Sequence, residues 1–333
     1  MTQLEVLERI DEQSRRALLT GENADIRALL EMYDQALADI TTAVEGTFSQ
    51  MQSGTGERED YLKWKLGREQ RLMNLIRGRL DGLRANFSAA LRDGMLSAYT
   101  QQGIWDAYAL DMASPPSIGV DTRALTPHAA DSVVNTPWEG PMFSHRVWAI
   151  TDDMAREIQN QLGQSVLLGE GIDDAVRRIK NLQVMDGNVP PRYAIERLAR
   201  TEILKASDRA RQLLYAENSD IVTAELIVAT LDSRTDEGCG ELDEKVLGGE
   251  EASDIIDEWD FNERPPFHPN CRCSTIPRMK TWGQLLGVGK APSDLEDFSS
   301  VDRVVRDPET GKSVIAPVQS FEDWTAMKGL VGR

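Results

Sequence analysis

Four residues near the C-terminus combine the types and spacing that bind a metal ion. Cys239 is followed, after an acidic stretch, by His268, Cys271 and Cys273 in the run HPNCRC. They include every cysteine of the chain and one of its three histidines. Structural zinc sites hold one ion in a closed tetrahedron of thiolate and imidazole ligands. The pattern therefore predicts one structural zinc bound by these four side chains.

Two alternatives follow from the same residues. Buried cysteines also behave as small apolar side chains, so burial of three thiols beside an exposed histidine stays open. A thiol enzyme that pairs Cys239 or Cys271 with His268 is a further alternative. Three thiols around one histidine favour a metal cage over a nucleophile, and the chain lacks the phosphate-loop, dinucleotide-binding and hydrolase motifs. We therefore expect a protein that is not an enzyme.

A second group of polar residues precedes the cysteines. Arg200, Glu202, Asp232 and Arg234 are predicted to form a structural ion-pair lattice between a long helix and a β-rich run. Guanidinium and carboxylate groups pair through two parallel hydrogen bonds, which suits such a link. An active site built on these charges is the alternative, but no nucleophile with a paired base accompanies them.

Apolar spacing predicts helices over most of the chain. Three- and four-residue steps indicate one helix from Asn23 to Val44 and a longer one from Leu62 to Leu96, with a turn at SGTGERED between them. Three more helices are predicted over 152–167, 172–182 and 191–218, and the run ELIVATL after them is typical of a strand. The fold class is mainly α, with a small α+β C-terminal domain in which helices pack on a short-stranded, zinc-stapled element.

The length of 333 residues predicts two packed regions. Residues 1–110 read as a helical hairpin or bundle that serves as a docking element. Prolines and glycines across 111–137 predict a linker. Residues 138–280 form the second region, and 281–333 an extended tail with a hairpin that turns at 307–311.

The net charge of −18 argues against a protein that mainly wraps nucleic acid. The charge is uneven, since bases dominate 61–92 and acids dominate 232–263. A solvated face is the simplest interpretation of each block, although the basic helix could contact DNA or an acidic partner. No secretory signal or membrane-spanning run is visible, so we expect synthesis in the cytoplasm and no membrane contact.

Three segments in this order resemble the phage Mu F-like minor head proteins, also called head-morphogenesis proteins. They are RLARTEILKASDRAR from Arg197, LDSRTDEGCGELDEK from Leu231 and RPPFHPNCRCSTIP from Arg264. The run WEGPMFSHRVW from Trp138 is similar to the start of that domain. Many members carry another cysteine where this chain has Asp236, and a glycine where it has Glu244. An acidic insertion over 248–262 also divides the cluster.

The resemblance implies a minor capsid protein of a tailed bacteriophage that acts in head morphogenesis. It implies a low copy number in the virion, at the portal vertex or in the capsid interior, after synthesis in the host cytoplasm. The expected partners are the portal protein and the major capsid or scaffold protein, with DNA contact through 61–92. An injected effector or enzyme that acts on DNA or host targets is the alternative.

Overall fold

The computed structural model describes most of the chain. The described residues are 2–52, 58–115, 117–136, 142–168, 172–181, 191–231, 235–248, 264–287, 302–306, 313–317 and 321–329. None of the helices among them combines the length and the apolar character needed to cross a lipid bilayer.

Helices dominate the described chain. The long helices are α1 (Gln3–Gln52), α2 (Arg58–Ala113), α4 (Phe143–Leu168) and α6 (Pro191–Glu217). The shorter helices are α3 (Pro127–Val134), α5 (Ile172–Lys180), α7 (Glu237–Glu241), α8 (Trp282–Leu285) and α9 (Phe321–Met327). The predicted mainly helical class is therefore confirmed.

Helix α1 begins far earlier than the predicted start at Asn23. Thr2 and Glu5 form a capping box, in which the Thr2 side chain accepts from the Glu5 N–H at 3.2 Å and the Glu5 carboxylate accepts from the Thr2 N–H at 2.6 Å. Ile10 continues the apolar face and is 3% exposed. The capping pair, and not a residue near position 23, sets the helix start.

The segment 111–137 is ordered in most of its length. It contains the end of α2, a 3-10 turn at Arg123–Leu125 and helix α3. Thr126 caps α3 by accepting from the Ala129 N–H at 3.2 Å, and Pro127 occupies the first turn, where its missing N–H costs nothing. Pro127, one of the prolines that suggest a linker, therefore starts a short helix.

A small antiparallel sheet follows α6. Strand β1 (Val222–Val228) lies between β2 (Val246–Leu247) and β3 (Ser274–Met279). Leu226 of β1 pairs with Val246 on one side and with Ile276 on the other. A separate pair, β4 (Asp302–Arg306) and β5 (Ser313–Pro317), forms an antiparallel ladder in the C-terminal tail.

The chain divides into two compact units that are interleaved along the sequence. Unit 1 contains Met1–Glu22, Gly94–Thr136 and Thr201–Arg333, and unit 2 contains Asn23–Asp93 and Pro137–Arg200. Helices α1, α2 and α6 each contribute to both units. Each unit therefore combines segments that are distant in the sequence, because the long helices place different turns in different units.

Gly103 is predicted to tolerate no larger side chain. A Cβ atom there would lie 2.2 Å from Cδ2 of Leu125, whose side chain is 7% exposed in the core of unit 1. We expect Gly103→Val to lower the free energy of unfolding by roughly 1–3 kcal/mol, the usual cost of overpacking. Urea titration followed by circular dichroism measures the change.

The matched control is Gly82→Val on the same helix, where a Cβ atom would meet nothing within 4 Å. Valine has a slightly better helix propensity than glycine, so this variant should change stability by no more than about 0.5 kcal/mol. Equal losses in the two variants would contradict the proposed close contact with Leu125.

Candidate metal centre

A tight turn brings two of the predicted ligands together. The Cys271 N–H donates to the His268 carbonyl at 3.1 Å, which closes a four-residue turn. Pro269 holds its second position, and Asn270 holds the third with a left-handed φ of 64°. Proline followed by a residue with positive φ is typical of a type II turn, and asparagine tolerates that conformation. The HPNC sequence therefore forms this turn by local preference.

Helix α7 delivers the third ligand. Its N-terminus is capped by Asp236, whose carboxylate accepts from the Gly238 N–H at 3.0 Å. Cys239 follows in the first turn and is 3% exposed. Asp236 is thus engaged in capping, and it is not a member of the group of potential metal ligands found among the described residues.

The distances between donor atoms fit a tetrahedral zinc site. The ligand atoms of Cys239, His268 and Cys271 lie within 4.8 Å of one another. The two sulfur atoms are 3.8 Å apart, and Cys239 Sγ lies 3.0 Å from His268 Nε2. With Zn–S near 2.3 Å and Zn–N near 2.0 Å, a tetrahedron has edges of about 3.8 Å and about 3.5 Å. A shift of about half an ångström in the imidazole would complete the fit.

The hydrogen bond made by the other ring nitrogen of His268 also suits a metal ligand. Nδ1 lies 2.9 Å from the Pro269 carbonyl oxygen, which can only accept a hydrogen bond. The proton is therefore assigned to Nδ1, and the lone pair of Nε2 points towards the thiols. Zinc-bound histidines commonly donate their other N–H to such an acceptor, which orients the ring.

Cys273, the fourth predicted ligand, is placed differently. It is 6% exposed, but it does not belong to the three-residue group found among the described residues. Its backbone N–H donates to Cys271 Sγ at 3.4 Å. Its thiol hydrogen-bonds with those of Cys239 and Cys271 closely enough to shift their pKa values. Three predicted ligands are therefore assembled, and Cys273 lies beside them.

The pKa values of the three thiols are shifted in different directions by their mutual hydrogen bonds. A hydrogen bond from Cys239, supported by one from Cys273, lowers the pKa of Cys271 to about 2. The same bond to Cys271 raises the pKa of Cys239 to about 12. Hydrogen bonding with Cys239 and Cys271 raises the pKa of Cys273 as well. Because the thiolate is the form that binds a metal, a bound ion would favour deprotonation of these thiols.

Apolar packing around the thiols partly supports the alternative that the cysteines are simply buried small side chains. The cysteines belong to a buried cluster with Ile227, Ala229, Leu242, Leu247 and Phe267. Burial alone accounts for the three cysteines as small apolar residues. The imidazole nitrogen 3.0 Å from Cys239 Sγ fits both a thiol–imidazole hydrogen bond and a metal site.

The structure describes two of the four residues in the predicted ion-pair lattice. Arg200 pairs with Glu196 one turn earlier at 3.1 Å, and Glu202 is buried at 5% exposure. Asp232 and Arg234 lie outside the described residues. The lattice between these four residues stays a prediction.

Two other arginines form ion-pair clusters, one partly buried and one buried, that were not predicted from the sequence. Arg264, just before the HPNC turn, binds Asp208 of α6 through Nε and Nη2 at 3.0 and 3.2 Å. It also binds Glu225 of β1 through Nη1 and Nη2 at 2.9 and 2.8 Å. The Thr275 hydroxyl of β3 donates to the same glutamate at 2.7 Å. One guanidinium thus ties α6 and β1 to the segment that carries His268.

Arg211 occupies the second cluster and is 3% exposed. Its Nη2 donates to Asp11 of α1 at 2.7 Å, and its Nε donates to Asp106 of α2 at 3.2 Å. In each cluster two carboxylates share one guanidinium, and Asp11 has a second cation, Arg15, at 3.8 Å. The signal in the sequence was the placement of Asp208 and Arg211 on the apolar face of α6, where charged residues are rare unless paired.

The burial of Asp106 predicts a pH dependence of stability. Burial, opposed by Arg211, raises the pKa of Asp106 from its ordinary value of 3.8 to about 7. The folded state therefore binds more protons than the unfolded state between these values, so stability should fall as pH rises through this interval. Between pH 5 and pH 8 the loss is expected to be roughly 2–3 kcal/mol.

Urea unfolding at several pH values measures this slope. Asp106→Asn removes the titrating group while keeping a hydrogen-bond acceptor for Arg211, so its slope should be flatter by that amount. An unchanged slope in the variant would assign the titration to another group.

Comparison with known proteins places the cluster in a family. Residues 156–276 match the family described as Phage Mu protein F like protein. The segment runs from within α4 to β3 and covers about a third of the chain. It includes all four predicted zinc ligands and begins later than the resemblance at Trp138 suggests. The family resemblance is confirmed over this segment, while no curated protein or solved structure is similar enough to match.

Proposed function

From the Phage Mu F-like segment at 156–276, we propose that this chain is a minor head protein of a tailed bacteriophage. The family suggests a phage head-morphogenesis protein, and the match over this segment is the observation that carries the proposal. The finer assignment is a low copy number at the portal vertex or in the capsid interior, where the protein takes part in head assembly and DNA delivery.

A structural role, without catalysis, suits the chemistry of the described residues. Arg211 and Arg264 are engaged by two carboxylates each, and their bonds join different elements of unit 1. Groups consumed in such contacts support a fold and are not presented to a substrate. The Cys/His group adds a potential metal staple between α7 and the HPNC turn, since a structural zinc contributes folding free energy directly.

The basic part of α2 is the proposed contact with portal, scaffold or DNA. In its described portion Arg79 lies 3.6 Å from Asp39, and Arg84 lies 3.1 Å from Asp81. These pairs reduce the positive charge available to a nucleic acid. The side chains of residues 61–69 lie outside the described ones.

Removing residues 1–110 would not test this docking cleanly. Helices α1 and α2 supply buried residues to both units, among them Ile10, Ile76 and Leu110. A truncated chain would lose both cores. The charge reversal Arg77→Glu at an exposed position of α2 is a milder change, and it should reduce co-purification with the portal protein several-fold. Arg16→Glu, at an exposed position of unit 1, is the matched control.

The proposal as a whole is tested in the parent phage. Deleting the gene should reduce the yield of complete heads, and mass spectrometry of purified virions should find the protein at a small fraction of the major capsid protein's abundance. Normal infectious yield without the gene, together with absence of the protein from virions, would reject the assignment.

A further inference from the structure

An aromatic site on α2 holds the C-terminal helix α9 within unit 1. Trp105 and Tyr108 lie three residues apart on α2 and therefore share a face. The Trp105 indole stacks on Phe321 of α9, with 3.5 Å between centroids and 2° between planes. Tyr108 meets Phe321 and Trp324 edge-on, with 5.4 Å between centroids in each pair. The aromatic side chains of α9 thus insert between those of α2.

Asp111 gives this site a polar end. It follows Tyr108 by three residues, and its Oδ2 accepts from the Trp324 indole N–H at 2.7 Å. The Lys328 ammonium lies 3.6 Å from the same oxygen and 5.7 Å from the centre of the Trp324 ring. Trp324 is 2% exposed, so its N–H needs this acceptor. Asp111 therefore favours a segment that has a tryptophan at this position and a basic residue four positions later.

The residues that make these contacts, two in α9 and one directly after it, lie within eight positions. Phe321, Trp324 and Lys328 follow the spacing with which a short helix presents one face to a groove. Residues 286–320 separate α9 from α8, and the strands described there, β4 and β5, pair with each other. The described contacts with α2 are made by Phe321 and Trp324 of α9 and by Lys328.

We propose that Trp105, Tyr108 and Asp111 form a docking site for a helix of the pattern Phe-x-x-Trp-x-x-x-Lys. The helix α9 is its detachable occupant, and α9 from a second copy of this chain takes the same site. A tethered helix is present at a high effective concentration, so the chain's own α9 prevails when copies are dilute. Where copies are crowded, exchange of α9 links one chain to the next.

A labelled peptide tests the site directly. The receptor is the full-length chain with Phe321→Ala and Trp324→Ala, which disables its own α9, and the probe is a fluorescein-labelled peptide of residues 318–331. Fluorescence anisotropy should show binding at least tenfold tighter to this receptor than to the wild-type chain, whose site is filled. The same peptide with Trp324→Ala should bind at least tenfold more weakly, because the central aromatic anchor is lost.

Absence of peptide binding to a receptor that is folded by circular dichroism would overturn the proposal, as would equal binding to the wild type. If the double variant does not fold, the wild-type chain provides the measurement. Affinity-tagged and untagged copies are mixed at concentrations on the order of hundreds of micromolar, where exchange competes with intramolecular docking. Recovery of untagged chain with the tagged one supports the proposal if Trp324→Ala in the untagged copy reduces it, and no recovery rejects it.

Discussion

Replacing Arg211 with alanine should lower the free energy of unfolding by about 3–5 kcal/mol, the range for breaking a buried ion pair. The guanidinium is 3% exposed, and its two partners Asp11 and Asp106 are 7% and 8% exposed. Removing it leaves Asp106 in the core without its cation, and leaves Asp11 with only the more distant Arg15, at 3.8 Å. Because protonation of these carboxylates would relieve the cost, urea titration at pH 8 gives the clearest result.

Arg16→Ala is the matched control for this prediction. Arg16 also pairs with an acid, Glu12, but the two side chains are 77% and 64% exposed. Exposed pairs on helices contribute only a few tenths of a kcal/mol, so the control should remain near the wild-type stability. Similar losses for the two variants would show that the Arg211 cluster has no special role in the core.

Removing the metal should have the second large effect. Protein purified without chelator should contain about one zinc per chain, and chelation should lower the thermal midpoint because structural zinc contributes several kcal/mol to folding. Cys271→Ser removes one of the three grouped ligands. It should therefore reduce the zinc content below about a tenth of one ion. Metal analysis by mass spectrometry and thermal unfolding provide the two readouts.

Cys273→Ser decides how many residues bind the ion. The structure groups Cys239, His268 and Cys271, while a closed tetrahedron needs a fourth ligand. The Cys273 thiol is the proposed fourth, so this variant should also lose most of its zinc. Full zinc content in Cys273→Ser would reduce the set to three residues, and less than about a tenth of one zinc in the wild type would reject the metal site.

Features predicted from the sequence were those decided by local interactions. Periodic apolar residues indicated the helices, and the ELIVATL run indicated β1. Helix ends were predicted less well. The Thr2–Glu5 capping box extended α1 towards the N-terminus, and Thr126 with Pro127 started a helix in a segment that suggested a linker.

By itself, the sequence determined the mainly helical class, the family resemblance over 156–276 and the HPNC turn, because each depends on residues close together in the chain. Only the tertiary structure decided which charges pair. Arg211 meets Asp11, and Arg264 meets Asp208, across separations that helix periodicity does not encode. It also grouped Cys239, His268 and Cys271 and placed Cys273 beside that group. The physical reason is that burial and partner choice depend on how distant elements pack.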